Sequence, residues 1–410
     1  MSEQLSETCC GISLPLSKGP FQNNGASPWY ATLTLGTAKP GTEIQQLKFS
    51  VDTGSNFVWV SSSLCVENEC KENKCQHYGG DLFNYHNSSS FQFISQQPQM
   101  VDFGPWGEMQ VELGEDVFHF IDNQPTQSEL YLSRAFVDKD SQFKELDWDG
   151  GIGMPSYTIP TDGKSEHQAK AGHYGLRAVN KLEPSFHIMA SLIEQQLVEA
   201  HMPYVAFETD GPSGEGSVSL GRLDRSYQTS REYLFLPWKE SLIPSVSYLW
   251  STQLESFALG DQILAKDADF ILDSGSSQYK GDVEVMNAAL KAVAKSPEEL
   301  IITFGDTGET PNGELRIPAS TYLVKIEAGQ DEGQVQPQFK PMEGIPGLIL
   351  TGSVLMDYLY TVYEYRVRHI AGKVALFPVG TWIFNKPGGL NIIQNRQSSP
   401  ARIFTQNEEN

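Results

Sequence analysis

One short motif occurs twice in this chain, and the repeat constrains the fold more than any other feature. The run Phe-Ser-Val-Asp-Thr-Gly-Ser at residues 49–55 returns as Phe-Ile-Leu-Asp-Ser-Gly-Ser at residues 270–276. Each copy contains one aspartate, Asp52 in the first and Asp273 in the second. Two similar halves with one aspartate each predict two lobes that face each other across a cleft.

The pattern between and around the motifs is that of a mainly β protein. Turn signals separate short β-rich runs, among them residues 29–35, 47–51 and 109–113, as expected for antiparallel strands. Helical periodicity is confined to patches at 186–199 and 283–294. The sequence therefore predicts two β-rich lobes with few helices.

Domain bounds follow from the repeat and from changes in composition. The polar stretch 158–178 lacks periodicity and is predicted to be an exposed insertion. The predicted units are an N-terminal extension (1–20), a first lobe (21–208), a second lobe (209–385) and a flexible tail (386–410).

The repeated motif is typical of a loop that positions a catalytic carboxylate. Its glycine lets the backbone turn towards the carboxylate, and the hydroxyls of Ser55 and Ser276 can donate to that group. If the two loops meet, two carboxyl groups about 3 Å apart cannot both ionise, so they share one proton. One then acts as a base towards water while the other donates to a scissile carbonyl, which hydrolyses an amide without a covalent intermediate. This chemistry requires no metal and no cofactor.

Together with Asp-Gly-Gly-Ile-Gly at 149–153 and Leu-Thr-Gly at 350–352, the two motifs resemble those of the two-lobed, pepsin-type aspartic peptidases over roughly residues 20–380. The resemblance implies an aspartic endopeptidase that is inhibited by pepstatin and is most active below neutral pH. Its substrates are expected to be extended polypeptides with apolar residues around the scissile bond. The absence of a recognisable leader or basic pro-segment, together with the few cysteines, resembles the bacterial pepsin homologues sometimes called shewasins.

The resemblance also implies roles for individual residues. Asp52 and Asp273 are the expected catalytic dyad, and Thr53 and Ser274 the expected hydroxyl-to-backbone lock between the two loops. For Trp59, an interpretation as a core aromatic residue stays open beside its expected place behind the flap. The residues expected to border the substrate are Gly54, Ser55, Trp59, Phe103, Gly104, Trp148, Gly275, Ser276 and Ser277.

A departure from the family pattern concerns the hairpin flap that closes the cleft. The flap usually presents Tyr-Gly, and the best match here is Phe103-Gly104. Phe103 can cover an apolar side chain but lacks the phenolic hydroxyl. A catalytically silent pepsin-fold protein that binds peptides or inhibits another enzyme is therefore the alternative function.

Three of the five cysteines, Cys65, Cys70 and Cys75, lie within eleven residues of each other. A local disulfide is predicted, and the resemblance to the small N-lobe disulfide loop of the family pairs Cys65 with Cys70. A zinc site is the weaker alternative, because only His77 is near and the spacings are unusual. The eight histidines are otherwise scattered, so no metal site is expected.

The net charge of −22 argues against nucleic acid or an anionic membrane as the main partner. No run of 18 or more apolar residues occurs, and the N-terminus has no signal-peptide pattern. These features predict a cytoplasmic protein. A monomer is the default expectation, because the cleft forms inside one chain.

Overall fold

Strands form in this chain because apolar and polar residues alternate along its short runs. In β1 (Ile12–Lys18) and β2 (Trp29–Leu35), buried side chains alternate with more exposed ones, as in a sheet with one face against the core. The computed structural model describes residues 11–67, 75–102, 107–121, 124–137, 142–158, 187–241, 243, 246–370 and 372–404.

The strands that follow in the first half are β3 (Gln46–Asp52), β4 (Val58–Ser61), β5 (Gln92–Asp102), β6 (Glu108–Ile121), β7 (Gln124–Phe136) and β8 (Gly150–Gly153). The remaining strands are β9 (Tyr204–Asp210), β10 (Glu215–Leu220), β11 (Tyr233–Pro237), β12 (Ser251–Gln253), β13 (Ser256–Leu259), β14 (Gln262–Lys266), β15 (Asp269–Leu272), β16 (Tyr279–Gly281), β17 (Leu300–Thr303), β18 (Glu314–Ile317), β19 (Leu323–Lys325), β20 (Val335–Pro337), β21 (Phe339–Pro341), β22 (Leu348–Thr351), β23 (Leu359–Ile370) and β24 (Lys373–Asn385). The α-helices are α1 (Leu64–Glu67), α2 (Ile188–Glu194), α3 (Val283–Lys295), α4 (Ala319–Tyr322) and α5 (Ser353–Met356), and short 3-10 turns occupy Tyr85–Asn87, Gln142–Glu145, Arg225–Tyr227 and Arg402–Phe404.

A thirteen-stranded sheet joins the two halves of the chain. Its order is β11-β24-β23-β9-β10-β1-β2-β3-β8-β4-β7-β6-β5. The first six of these strands include members from both ends of the sequence, and β9 pairs antiparallel with β23. The predicted lobe boundary between residues 208 and 209 falls inside β9. The fold is mainly β, as predicted.

The second half contributes three further sheets. A five-stranded sheet has the order β12-β15-β22-β16-β21, a four-stranded sheet has the order β14-β13-β17-β18, and β19 pairs with β20. The strand runs predicted at 29–35, 47–51 and 109–113 are confirmed, and α3 confirms the helical patch at 283–294. The predicted helix at 186–199 is shorter and covers Ile188–Glu194.

The repeated motif occupies the same structural position in each half. In the first half, β3 runs parallel to β8, and β4 runs antiparallel to it. In the second half, β15 runs parallel to β22, and β16 runs antiparallel to it. Each aspartate thus lies at the end of a strand that is paired with the apolar and glycine segment further along the chain. The internal repeat in the sequence is therefore a repeat in the structure.

The glycines that end these segments are needed for close packing against the Asp loops. A Cβ on Gly352 would lie 2.1 Å from the carbonyl oxygen of Ser276, and a Cβ on Gly153 would lie 2.6 Å from the backbone nitrogen of Phe57. Both distances are far shorter than a van der Waals contact. Glycine at these two positions lets the strand and the Asp loop touch.

Asp149 explains why the segment Asp-Gly-Gly-Ile-Gly begins with an acid. Its fully buried carboxylate accepts a hydrogen bond from the backbone nitrogen of Lys48 at 2.8 Å and pairs with Nε2 of His77 at 2.8 Å. These bonds fix the start of β8 against β3. These partners compensate the cost of removing the carboxylate from water.

The predicted disulfide partner of Cys65 was wrong. Cys65 is bonded to Cys75, with their Cα atoms 5.7 Å apart, while Cys70 lies outside the described residues. Both bonded cysteines are buried beside Ser133 of β7, and this shared position on β7 brings Cys75 against Cys65 of α1. The zinc alternative is also wrong for these residues, since both thiols are bonded to each other and His77 is engaged by Asp149.

The C-terminal segment differs from the predicted flexible tail over residues 386–404. Ile393 is fully buried, and so is Ile403. Arg402 forms an ion pair with Glu364 of β23 at 2.8 Å. The segment is ordered because its scattered apolar residues pack against the second lobe. Its Asn- and Gln-rich composition does not indicate this packing. The insertion predicted at 158–178 lies outside the described residues beyond Thr158.

No helix among the described residues has the length and apolarity required to span a membrane.

Candidate active site

Two strand ends bring Asp52 and Asp273 together. Asp52 is the last residue of β3, and Asp273 directly follows β15. Asp273 is 5% exposed, and Asp52 is partly buried. The two residues are 221 positions apart in the sequence, yet their side chains are close enough to share a hydrogen bond. The structure therefore brings together the two aspartates that the sequence predicts as a pair.

A reciprocal set of hydrogen bonds joins the two Asp loops. The backbone nitrogen of Thr53 donates to the hydroxyl of Ser274 at 3.0 Å, and the backbone nitrogen of Ser274 donates to the hydroxyl of Thr53 at 3.0 Å. The Ser274 hydroxyl donates to the carbonyl of Val51 at 2.6 Å, and the Thr53 hydroxyl donates to that of Leu272 at 3.3 Å. These four bonds form the geometry expected of a lock between the loops.

Tyr363 of β23 also contacts this lock, and sequence reasoning missed it. Its hydroxyl donates to the carbonyl of Leu272 at 3.0 Å and lies 3.4 Å from the hydroxyl of Thr53. The side chain is fully buried. Nothing in the sequence near Tyr363 marks this contact, because it depends on a strand that is 310 positions from Thr53.

Each carboxylate is held by the turn that follows it. The backbone nitrogen of Gly54 donates to Oδ1 of Asp52 at 2.8 Å, and that of Gly275 donates to Oδ1 of Asp273 at 2.9 Å. Each glycine also lies against the carboxyl group of the opposite loop. A Cβ on Gly275 would lie 2.2 Å from Oδ1 of Asp52, and one on Gly54 would lie 2.5 Å from the carboxyl of Asp273. Only glycine leaves room for the two carboxyls to approach.

The two carboxyl groups differ in their electrostatic environment. Burial raises the pKa of Asp52 well above its ordinary value, and the negative charge of Asp273 and a hydrogen bond to that residue raise it further. The hydrogen bond from Gly54 and the nearby Ser55 hydroxyl act in the opposite direction. Asp52 thus holds a proton over a pH range in which an ordinary aspartate is ionised.

The serines that follow the glycines are not equivalent. The hydroxyl of Ser276 donates to Oδ2 of Asp273 at 2.7 Å. The hydroxyl of Ser55 is buried near Asp52 but forms no hydrogen bond of ordinary geometry within the described part of the chain. Asp273 therefore has one well-formed side-chain donor that Asp52 lacks.

A segment of the first lobe pairs with the second Asp loop. Ala26 forms a bridge with Ser276, the nitrogen of Ser27 donates to the carbonyl of Gly275 at 2.9 Å, and the nitrogen of Ser277 donates to the carbonyl of Gly25 at 3.1 Å. Ser277 is fully buried by this pairing. Ser277 thus contacts the Gly25 segment, and its place beside the substrate backbone stays a prediction.

Trp59 and Trp148 are each 2% exposed and lie in one aromatic cluster. Their ring centroids are 6.0 Å apart, and the indole nitrogen of Trp148 donates to the carbonyl of Ser27 at 3.1 Å. For Trp59 this packing favours the interpretation as a core aromatic residue. Both indoles are thus packed inside the cluster in this conformation, and their predicted contact with the substrate stays a prediction.

The strands of the predicted flap are present. Strands β5 and β6 pair antiparallel as far as Asp102 and Glu108. Phe103 and Gly104 lie outside the described residues, so their predicted role stays a prediction. The base of the hairpin packs with Trp59 through Val101 and Met109 in the same aromatic cluster.

Within the part of the chain that the structure describes, no group of three or more His, Cys, Asp or Glu side chains is arranged to hold a metal ion.

Comparisons with known proteins agree with this geometry. The family profile described as eukaryotic aspartyl protease matches residues 30–372. The chain is 24% identical to gastricsin of Macaca fuscata fuscata over 80% of this chain and 80% of that protein. It is 22% identical to cathepsin D of Dictyostelium discoideum over 92% and 89%, and 22% identical to pepsin A of Bos taurus over 85% and 84%, respectively.

Proposed function

The chain belongs to the family of eukaryotic aspartyl proteases, and from this premise we propose that it is an active aspartic endopeptidase. The observation that carries the proposal is the unequal pair of carboxyl groups. Asp52 has a raised pKa and shares a hydrogen bond with Asp273, which is itself hydrogen-bonded by Gly275 and Ser276. One proton between two carboxyls supplies an acid and a base at the same pH.

The reaction follows from that distribution of the proton. The carboxylate of Asp273 accepts a proton from a water molecule as the water oxygen attacks the carbonyl carbon of the scissile amide. The carboxyl of Asp52 donates its proton to the carbonyl oxygen, so the tetrahedral intermediate is a neutral diol. When the C–N bond breaks, Asp273 returns a proton to the leaving amine and Asp52 recovers one from a hydroxyl of the diol. The lock keeps both carboxyls in position throughout.

The expected substrates are extended polypeptide segments bound by backbone hydrogen bonds in the cleft. Apolar side chains on both sides of the scissile bond are proposed because of the family resemblance. The same resemblance supports activity below neutral pH and inhibition by pepstatin, which imitates the tetrahedral intermediate. Gastricsin and pepsin A among the relatives fit the same proposal.

The proposal is tested by replacing each dyad carboxyl with an isosteric amide. We expect Asp52→Asn and Asp273→Asn to lower kcat/KM for an unfolded protein substrate by about a thousandfold or more, because neither variant can shuttle the proton. Asp306→Asn is the matched control, since Asp306 lies in an exposed turn where it accepts from the nitrogen of Gly308. Cleavage is measured by appearance of new N-termini.

Retention of activity in either dyad variant, or an equal loss of activity in the Asp306→Asn control, would contradict the proposed mechanism. A wild-type protein that binds pepstatin but cleaves no substrate at any pH would instead identify the alternative, a silent pepsin-fold protein that binds peptides.

A further inference from the structure

A buried lysine lies beside the dyad. Lys280 belongs to β16 and follows Asp273 by the same number of residues as Trp59 follows Asp52. The repeat thus places a cation in the second half where the first half has a core aromatic residue. Lys280 is 4% exposed. A buried ammonium group is costly unless it is compensated by partners, so its partners show what it does.

The ammonium group of Lys280 is linked to the dyad through one hydroxyl. Nζ donates to the hydroxyl oxygen of Ser276 at 3.1 Å, and that hydroxyl donates to Oδ2 of Asp273 at 2.7 Å. Nζ also donates to the carbonyl of Gly25 at 2.6 Å. Because the ammonium occupies a lone pair of the Ser276 oxygen, it orients the hydroxyl proton towards Asp273.

The segment around Gly25 encloses the lysine. Gly25 has φ +82°, and a Cβ at this position would lie 2.9 Å from Cε and Nζ of Lys280. The first lobe thus covers the side chain and supplies a carbonyl for its charge. This cover keeps the cation in surroundings of low polarity, where its interaction with the dyad is stronger than in water.

The charged groups around Lys280 act in both directions. Burial lowers the pKa of Lys280 to about 8, the charges of Asp273 and Asp52 raise it, and the charge of Lys340 lowers it. Lys340 is its register partner on β21. Strand β22 on the other side carries no ionisable residue. Helix α3, which also packs on β16, carries the exposed Glu284 in its first turn. Lys280 is therefore a cation throughout the acidic range.

We propose that Lys280 is a positioning residue that acts through the hydroxyl of Ser276 to hold Asp273 in its ionised form, so that the dyad retains its base at more acidic pH. The proposal rests on the function proposed above for its consequence in catalysis. The electrostatic link itself exists in the folded protein whether or not a substrate is cleaved.

The direction of the effect is fixed by charge. A cation beside the dyad opposes proton binding at both ionisation steps of the pair. Removing it makes both steps occur at higher pH. The acidic limb and the neutral limb of the pH profile of kcat/KM then move upward together, by about one pH unit for a hydrogen-bonded cation. A residue that only fills space would change the amount of active protein without moving the profile.

Two variants separate charge from packing. Lys280→Met removes the charge and the hydrogen bonds, whereas Lys280→Gln removes the charge but keeps a donor for Gly25 or Ser276. We expect both to move the profile upward. Lys340→Met is the matched control, because it removes the neighbouring cation on β21, and among the described contacts that cation has no hydrogen bond with Ser276. We expect this control to leave the profile within a few tenths of a unit.

A second measurement does not depend on cleavage. In protein labelled with ¹³C at the aspartate carboxyls, the signals of Asp52 and Asp273, assigned with Asn variants, report the two ionisation steps of the pair. We expect both steps to shift upward in Lys280→Met and Lys280→Gln. By reciprocity, Asp273→Asn is expected to lower the pH at which Lys280 loses its proton in otherwise unchanged protein.

Unshifted carboxyl titrations in the Lys280 variants, or an unshifted Lys280 titration in Asp273→Asn, would overturn the proposal. If the wild-type protein cleaves nothing while the carboxyl titrations shift as expected, the proposed endopeptidase function fails and the link between Lys280 and the dyad stands. If the wild-type protein cleaves normally and the carboxyl titrations do not shift in the Lys280 variants, the endopeptidase function stands and the proposed role of Lys280 fails.

Discussion

Two chemically identical side chains acquire different roles here from the residues around them. Asp273 receives hydrogen bonds from Gly275 and Ser276, whereas Asp52 receives one from Gly54. Burial and the negative charge of Asp273 raise the pKa of Asp52. At the scale of single residues, chemistry therefore depends on partners rather than on residue type.

The sequence predicted the dyad and its lock but not every residue that touches them. Asp52 and Asp273 were found because the repeat marks them, and the family resemblance gave Thr53 and Ser274 as the lock, whose hydrogen bonds have the expected geometry. Lys280 could have been noticed as the residue aligned with Trp59 in the repeat. Its contact with the Gly25 segment could not, because that contact joins backbone segments far apart in the chain.

The lock between the two loops gives a prediction at this scale. Ser274→Ala removes the acceptor of the Thr53 nitrogen and the donor to the Val51 carbonyl, both buried. We expect the free energy of unfolding to fall by about 1–3 kcal/mol, because buried polar groups lose their partners. We also expect kcat to fall more than KM rises, since the loops no longer hold the carboxyls in register.

Ser274→Thr is the control for this prediction, because it keeps the hydroxyl and adds one methyl group. Denaturant unfolding and steady-state kinetics measure both effects. Wild-type stability together with wild-type kcat in Ser274→Ala would show that the lock contributes neither to the fold nor to the alignment of the dyad.

Helix α2 shows how one terminal residue makes an element sensitive to pH. His187 is the N-cap residue, and its Nδ1 accepts from the backbone nitrogen of Met189 at 3.2 Å. Its Nε2 lies 3.0 Å from the carbonyl of Pro155. Burial lowers the pKa of His187 to about 4 from 6.5. If Nδ1 were protonated, its proton would face the backbone N–H of Met189, and Nδ1 could no longer accept that hydrogen bond.

The sign of the pH dependence follows from which state binds the proton. Between pH 6.5 and pH 4, the unfolded chain protonates His187 while the folded chain does not, so stability falls as the pH is lowered through this window. We expect His187→Asn, which can still cap the helix, to lose less stability on acidification. The relative gain is at most about 3 kcal/mol at pH 4.

The measurement is the free energy of unfolding of the two proteins by denaturant at pH 7.5, 5.5 and 4. Asn cannot reach Pro155, so the variant starts from lower stability at neutral pH, and only the change with pH is compared. A constant difference at all three pH values would mean that His187 titrates alike in the folded and unfolded chains.

Over the whole molecule, the sequence predicted the features that rest on repeated or periodic patterns. It missed those that rest on contacts between distant, irregular segments. Two β-rich halves followed from the duplicated motif and from alternation along the strands. The disulfide partner of Cys65 and the packed segment at 386–404 did not, because each depends on tertiary contacts. Ile393, Ile403 and the Arg402–Glu364 pair are too widely spaced to produce a periodic signal.

Hydrolysis of peptide bonds by two carboxyls that share one proton is tested most directly with the wild-type chain and an unfolded protein substrate. Cleavage is measured at pH 4 and at pH 7, each with and without pepstatin. We expect faster cleavage at pH 4 and loss of that cleavage in the presence of the inhibitor. Cleavage that is fastest at or above neutral pH, or that pepstatin leaves unchanged, would contradict a dyad that shares one proton.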